Sequence, residues 1–193
     1  MKRKILLALS TLLFAVISAN AQNFAVKTNL LYDATATVNA GVEFGLAPRW
    51  TFDLSGNLHA WQFTDSKLKH WLVQPEIRYW FCDRFQGHFL AAHAIGAAYN
   101  AGHIPNNIKF FGQDFSVLKD YRYQGYAYGG GIAYGYACPL SHHWNLELEL
   151  GVGYMYTEFD KFECDGCGKR IAEDVPLHYV GPTKGAISLV YVF

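Results

Sequence analysis

The sequence predicts an all-β fold: an eight-stranded antiparallel up-and-down β-barrel of the transmembrane, outer-membrane type, preceded by a cleaved signal peptide. Three observations carry this. Apolar and polar residues alternate with period two along eight segments. The connections between those segments sort into two alternating classes, one of tight turns and one that holds the two long loops. The ends of the chain carry an export-like start and an aromatic C-terminal residue, Phe193.

The start comes first. Lys2, Arg3 and Lys4 form a basic n-region, Ile5 to Ile17 is apolar apart from Ser10 and Thr11, and Ala19-Asn20-Ala21 is a small-x-small cleavage pattern. The apolar run is short for a bilayer-spanning helix, and no stop-transfer pattern follows. Residues 1–21 are therefore expected to be a signal peptide and 22–193 the barrel domain. No Cys follows the small residues, so a lipid anchor is not expected. Aromatic residues make up 17% of the chain and charged residues 17%, with a net charge of zero. The charged share is below the roughly 25% usual for soluble domains. A neutral chain without a basic face argues against nucleic-acid binding. In lipid every backbone polar group must be paired internally, and strands achieve that only in a closed barrel.

The eight segments follow in order. Segment 24–32 sets Lys27 and Asn29 opposite Val26, Thr28, Leu30 and Tyr32. Segment 36–46 sets Val38, Ala40, Val42, Phe44 and Leu46 against Asn39, Gly41, Glu43 and Gly45. Segment 50–62 sets Trp50, Phe52, Leu54 and Leu58 against Thr51, Asp53, Ser55, Asn57 and His59. Segment 70–82 sets Trp71, Val73, Pro75, Ile77, Tyr79 and Phe81 against Gln74, Glu76, Arg78 and Trp80, with a bulge or bend expected at Pro75 because it lacks a ladder donor. Segment 88–100 is small and apolar on both faces, so its inward face is not assigned. Segment 124–137 alternates Tyr126, Tyr128, Ile132, Tyr134 and Tyr136 with Gly and Ala. Segment 144–156 alternates Trp144, Leu146, Leu148, Leu150, Val152, Tyr154 and Tyr156 with Asn145, Glu147, Glu149 and Gly. Segment 184–193 alternates Ile187, Leu189, Tyr191 and Phe193 with Lys184, Ala186, Ser188 and Val190.

The turns after segments two, four and six are tight, at 46–50, 82–87 and 139–143. Residues 33–36, 63–69, 101–123 and 160–178 connect the other ends, and two of these are long. Short turns on one side and long loops on the other are what outer-membrane barrels show. A soluble eight-stranded barrel would turn its charges outward. Here the bulky aromatic and aliphatic residues occupy one face and the few charges the other. Phe193, with Tyr191 and Leu189 at alternate positions, resembles the C-terminal segment read by the barrel-assembly machinery.

The inward faces supply Lys27, Glu43, Asp53, Glu76, Arg78, Glu147, Glu149 and Lys184. Eight strands leave a narrow lumen that side chains fill. A paired network that plugs the barrel is therefore expected over an ion path or proton relay, because an unpaired buried charge is costly. Cys164 and Cys167, in Cys-Asp-Gly-Cys, are a loop disulfide candidate, with free thiols next and metal last because the ligand set is incomplete. Cys82 and Cys138 lie one strand apart from adjacency, about 10 Å at ordinary strand spacing, too far to bridge. Phe110, Phe111, Phe115 and Tyr121 mark loop 101–123 as a candidate contact surface or a lid over the mouth. Asp53, Ser55 and His59 share one face, but four residues of strand separate Ser55 from His59 by roughly 13 Å. No nucleophile–base pair can be placed, and no enzyme, cofactor or metal is expected.

Lys27-Thr28-Asn29-Leu30-Leu31-Tyr32-Asp33, Gln74-Pro75-Glu76-Ile77-Arg78-Tyr79-Trp80, Gly87-His88-Phe89-Leu90 and Tyr126-Ala127-Tyr128-Gly129-Gly130-Gly131 resemble a family of uncharacterised Bacteroidetes outer-membrane proteins, DUF3575. The resemblance spans nearly all of the mature chain. It implies a barrel in the outer membrane of a Gram-negative bacterium, sometimes encoded near fimbrial or adhesin genes, and it brings no catalytic residues. The reading is then a structural or interaction barrel, with outer-membrane lipid, the assembly machinery and fimbrial or other surface proteins as partners. A lipid-modifying enzyme and a narrow ion-conducting barrel are the alternatives. The Cys-Asp-Gly-Cys loop lies outside what the resemblance covers.

Overall fold

A computed structural model describes residues 24–61, 67–102, 109–110, 113–114, 121–163 and 169–193. The segment assigned above to a signal peptide lies outside them. Eight strands make up the sheet: β1 (Phe24–Asn29), β2 (Val38–Ala47), β3 (Trp50–His59), β4 (Lys67–Trp80), β5 (Gly87–Gly102), β6 (Arg122–Pro139), β7 (Trp144–Phe162) and β8 (Arg170–Val192). Each pairs antiparallel with its sequence neighbours, and β1 pairs with β8, so the up-and-down sheet closes in a ring. Between Gly102 and Arg122, Lys109–Phe110 pairs with Gln113–Asp114 in a two-residue ladder. No helix among the described residues is long and apolar enough to cross a membrane, which says nothing about crossing with strands.

The period-two pattern dictates which way each side chain points, and the molecule is built inside out. The buried polar residues include Lys27, Glu43, Thr51, Asp53, Glu76, Arg78, Glu147 and Glu149, while Leu46, Ile132 and Leu150 are 63%, 66% and 77% exposed on the outer surface. Beside the tight turns the interior is apolar. Trp80 packs on Phe89 with ring centroids 4.7 Å apart, and Phe85 closes the end. Phe89 lies over Gly135, where a Cβ would stand 2.2 Å from its Cζ, so only glycine fits. This also settles the inward face of β5, which alternation alone left open: Phe89, Ala91, His93 and Ile95 point in.

The outer surface carries aromatic contacts at two levels. Near the tight turns, Phe44, Phe24, Phe193, Tyr191 and Trp144 form a chain of ring contacts at 4.9–5.3 Å. Trp50 meets Tyr79 nearby, and His88 meets Tyr136. Higher up, Tyr128, Tyr156, His178 and Tyr154 make a second cluster. Aliphatic residues such as Leu148, Leu150 and Val152 separate the two on β7.

Four expectations are corrected. Leu30 and Tyr32 do not continue β1; they belong to a short helix, α1 (Leu30–Ala34). Asn29 caps it, its side chain accepting a hydrogen bond from the Leu31 amide at 3.1 Å, and this local alternative outcompetes a weakly alternating strand. Most of 160–178 is not loop. β7 runs to Phe162 and β8 starts at Arg170, their ladder carried through register shifts at Arg170/Ala172, Ala172/Val175 and Pro182/Lys184. Those shifts break the alternation that would have exposed the strand. Residues 67–69, 101–102 and 122–123 are likewise strand rather than loop. Pro75 makes no bulge: the registers with β3 and β5 run through it unshifted, and only the pairing of Gln74 and Pro75 to β5 lapses. The missing donor is absorbed by two skipped partners on one side.

Candidate functional site

The interior charges meet in one network above the Trp80–Phe89 plug. Arg78, fully inward on β4, is its centre. Its Nε donates to Glu76 Oε1 at 2.5 Å, Nη1 to Glu43 Oε2 and Glu147 Oε1 at 2.9 Å each, and Nη2 to Glu149 Oε2 at 2.8 Å. Lys27, from β1, reaches Glu43 at 2.5 Å, Asp53 at 2.8 Å and Glu147 at 3.5 Å. Lys184, from β8, reaches Glu76 at 2.6 Å and Glu149 at 3.1 Å. Six strands thus converge on one cluster, and the eight residues singled out by alternation are all in it. The guanidinium also lies 4.5 Å from the centre of the Phe89 ring, joining the charged layer to the apolar plug. Thr51 extends the network, donating to Glu43 at 2.5 Å and accepting from the Trp80 indole at 2.9 Å. Gly41 leaves room for the Lys27 stem, whose Cγ a Cβ there would meet at 2.7 Å.

The balance is uneven. Five carboxyl groups (Glu43, Asp53, Glu76, Glu147, Glu149) face three cations (Lys27, Arg78, Lys184), a formal excess of two negative charges when all are ionised. His93 stands beside them, its Nδ1 3.9 Å from Glu76 Oε2 and its Nε2 2.9 Å from Thr183 Oγ1. Thr183 sits in the bulge between Pro182 and Lys184, so the irregularity that hid β8 from the alternation also aims a hydroxyl inward.

Above the network lies a chamber of about 390 Å³, walled by Lys27, Asp53, Asn57, Glu149 and Lys184 and reached by Tyr32 of α1. A larger hollow of about 640 Å³ lies toward the long connections, beside His59, His70, Tyr99 and Phe159. The chamber's side wall is unusual. β1 pairs with β8 only over Ala25–Asn29 and with β2 only over Phe24–Lys27. Beyond that point α1 stands where more β1 would have run, against β2 and β8. Two asparagine side chains finish the ladders. Asn39 accepts from the Asn29 amide at 2.6 Å and donates to the Asn29 carbonyl at 3.2 Å. Asn29 donates to the Gly185 carbonyl and accepts from the Ile187 amide, both at 3.3 Å. Asn29 and Asn39 carry ordinary alternation in sequence, so nothing there distinguishes them from any inward polar residue.

The residues weighed as a hydrolytic set are occupied separately. Asp53 is with Lys27, Ser55 donates to the Gln74 carbonyl at 3.4 Å, and His59 Nδ1 is 3.0 Å from Thr37 Oγ1 with its ring against His70. Cys82 and Cys138 are free and exposed. Cys164, Cys167, Phe111 and Phe115 lie outside the described residues, as does the side chain of Phe110. Tyr121 lies under the Lys161 ammonium, 3.6 Å from its ring centre. No group of three or more His, Cys, Asp or Glu that could hold a metal occurs among the described residues.

Comparison with curated proteins and with solved structures gives no match. The family model described as protein of unknown function (DUF3575) matches residues 6–193, essentially the whole sequence, and the chain belongs to that family.

Proposed function

We propose that the chain is an outer-membrane barrel of structural or interaction type, exported by a signal peptide over residues 1–21, with a side-chain-filled lumen. One observation carries this: the apolar band on the outside, bordered by aromatic residues at both edges. From Trp144 to Tyr154 on β7 the chain rises about 34 Å along the strand, or about 25 Å of height at a ~40° tilt. That is the height of the hydrocarbon-facing band in outer-membrane barrels, which aromatic girdles border on both sides. A soluble protein with Leu150, Ile132 and Val180 on one continuous surface, 77%, 66% and 75% exposed, would be prone to associate.

The charged layer and the Trp80–Phe89 plug favour a closed lumen over a conducting one. The contact surface is then the far end: the connection 101–123, whose described ends lie there, and 160–178, where the β7–β8 ribbon projects past β1 and β2. A surface partner such as a fimbrial subunit is the class the family resemblance suggests, and the reading assigns no reaction.

Membrane placement is tested by fractionating cells and running the heated and unheated protein on a gel. Recovery in the outer membrane with a heat-dependent band shift supports the proposal; recovery in the periplasmic fraction without a shift overturns it. Crosslinking from residues 103–121 in intact cells tests the interaction role. Capture of a fimbrial subunit supports it, and capture of nothing above an uncoupled control removes it.

A further inference from the structure

We propose that the 390 Å³ chamber is a binding site for the polar head of an amphiphile bearing a primary ammonium group, entered sideways through the seam between β8 and β2. The inference rests on the membrane reading above for its source of ligand, and on the following geometry for its chemistry.

The seam is closed by no strand pairing among the described residues, and only the short α1 stands in it, against β2 and β8. Among the described residues, no strand pairs with the seam side of β8 above Asn29 of β1. Ile187 bonds the Asn29 side chain and Phe193 bonds the Phe24 carbonyl, so odd-numbered residues of lower β8 turn their backbone groups to the seam. The one-residue shift between Pro182 and Lys184 inverts that parity. Pro182, Val180, His178 and Pro176 then face the seam, and two of these four have no N–H to offer. Proline on an edge prevents further strand pairing, so β8 is kept from zipping onto β2. The gap is bordered by small groups: Ala40 and Gly185 are exposed and also line the chamber, and a Cβ at Gly185 would meet nothing within 4 Å. Leu30 and Leu31 of α1 and Val180 of β8 are exposed beside it. A polar chamber thus opens onto an apolar exterior, which suits a ligand with a polar head and an acyl chain.

The wall selects the head. The buried polar atoms that line the chamber without a hydrogen-bond donor are all acceptors: both carboxylate oxygens of Asp53, Asn57 Oδ1 and Glu149 Oε1. Asp53 Oδ2 and Glu149 Oε1 are compensated by Lys27 and Lys184. Asp53 Oδ1 and Asn57 Oδ1 are not, although the Asn57 amide is also hydrogen-bonded to the Tyr32 hydroxyl; the two residues are 1% and 8% exposed. A buried acceptor without a donor is unfavourable, as is an uncompensated charge. The cluster beneath has two carboxyl groups more than cations, and a protonated His93 would still leave one. An N–H-bearing cation meets both needs. A head whose only charged group is a phosphate or carboxylate meets neither, since Lys27, Arg78 and Lys184 are already held by carboxylates. Asp53 and Asn57 lie four residues apart on β3, roughly 13 Å along the strand. One bare ion cannot satisfy both, whereas an extended head with an ammonium and further donors can.

The test titrates the full-length protein in detergent with three single-chain phospholipids that differ only in the head, read by native mass spectrometry: ethanolamine, choline and glycerol. The ethanolamine form should bind at least tenfold more tightly than the choline form, which has no N–H, and than the anionic glycerol form. Gly185→Leu, which places an apolar side chain at the seam where a Cβ meets nothing within 4 Å, should abolish that preference, and Asn57→Ala, outside the charge network, should weaken it several-fold. Both variants should retain the heat-dependent gel shift, which separates failure of this site from failure of the membrane reading. Equal binding of the three lipids overturns the proposal. So does unchanged binding by Gly185→Leu, or free ethanolamine binding as tightly as its acylated form.

Discussion

The two sides of the ring are built to different lengths. β1 has 6 residues and β2 and β3 have 10 each, whereas β6, β7 and β8 have 18, 19 and 23. All eight strands share only the lower part, and it is there that the apolar plug, the charge network and the lower aromatic ring sit. Above it the β7–β8 ribbon continues with partners on one side, through three register shifts. The lower part is over-determined by cross-barrel contacts; the upper part is held mainly by its own ladder. Cross-barrel packing and the projecting ribbon are thus at different ends of one sheet.

The comparison breaks most sharply at Arg78. Four carboxylates from three strands end on its guanidinium. Arg78→Met keeps the volume but leaves those carboxylates with only Lys27 and Lys184. Removing one partner of a buried ionic cluster costs about 3–5 kcal/mol, and Lys27 and Lys184 are already engaged with these carboxylates and with Asp53. Urea unfolding of protein refolded in detergent or lipid, followed by tryptophan fluorescence and gel shift, should show a loss of that size or failure to refold. A midpoint within error of the parent would show that the network does not hold the lower barrel together. Glu173→Ala, whose partner Arg170 sits on the ribbon with 43% of its side chain exposed, is the matched control and should move the midpoint by well under 1 kcal/mol.

Ile132→Arg addresses the outer face of the same region. Ile132 lies part-way along β6 between Tyr136 and Tyr128 and is 66% exposed. Facing lipid near mid-bilayer, an arginine there costs about 2–4 kcal/mol; facing water, it costs nothing measurable and improves solubility. Folding yield into lipid vesicles, compared with Glu173→Arg on the ribbon, gives the difference directly. Equal yields for the two would contradict the lipid-facing assignment.

How much of this was legible depended on which contact held each segment. Where one face is polar and buried and the other apolar and exposed, period two is enforced, and Glu43, Asp53, Arg78, Glu147 and Lys184 could be put on one face from sequence alone. That they converge on one point could not, because convergence depends on barrel stagger, which no single strand encodes. β5 resisted because Ala and Gly fill both its faces; its inward side follows from Phe89 meeting Trp80 and Gly135. The β8 extension was hidden because each bulge flips the alternation, so Val175, Leu177 and Tyr179 no longer line up with Ile187 and Leu189. The switch from β1 to α1 rests on one asparagine side chain reaching several backbone groups, and a lone Asn on an inward face gives no sign of that.

That asparagine joins the two regions, and its removal has the smallest effect with the most local signature. Asn29 caps α1 through Leu31 and completes the β8 ladder through Gly185 and Ile187, while its backbone is held by Asn39. Asn29→Ala removes the cap and both side-chain rungs but leaves every member of the charge network in place. Loss of an asparagine cap costs about 1 kcal/mol; the two rungs at 3.3 Å are long and partly exposed and add little. The expected result is a small midpoint shift with much faster hydrogen exchange at the Leu31 and Ile187 amides, and unchanged exchange at Glu43 and Arg78. Faster exchange throughout the lower strands would mean that the short side of the ring is not an independent closure, and that β1 is held from its top rather than from its charged middle.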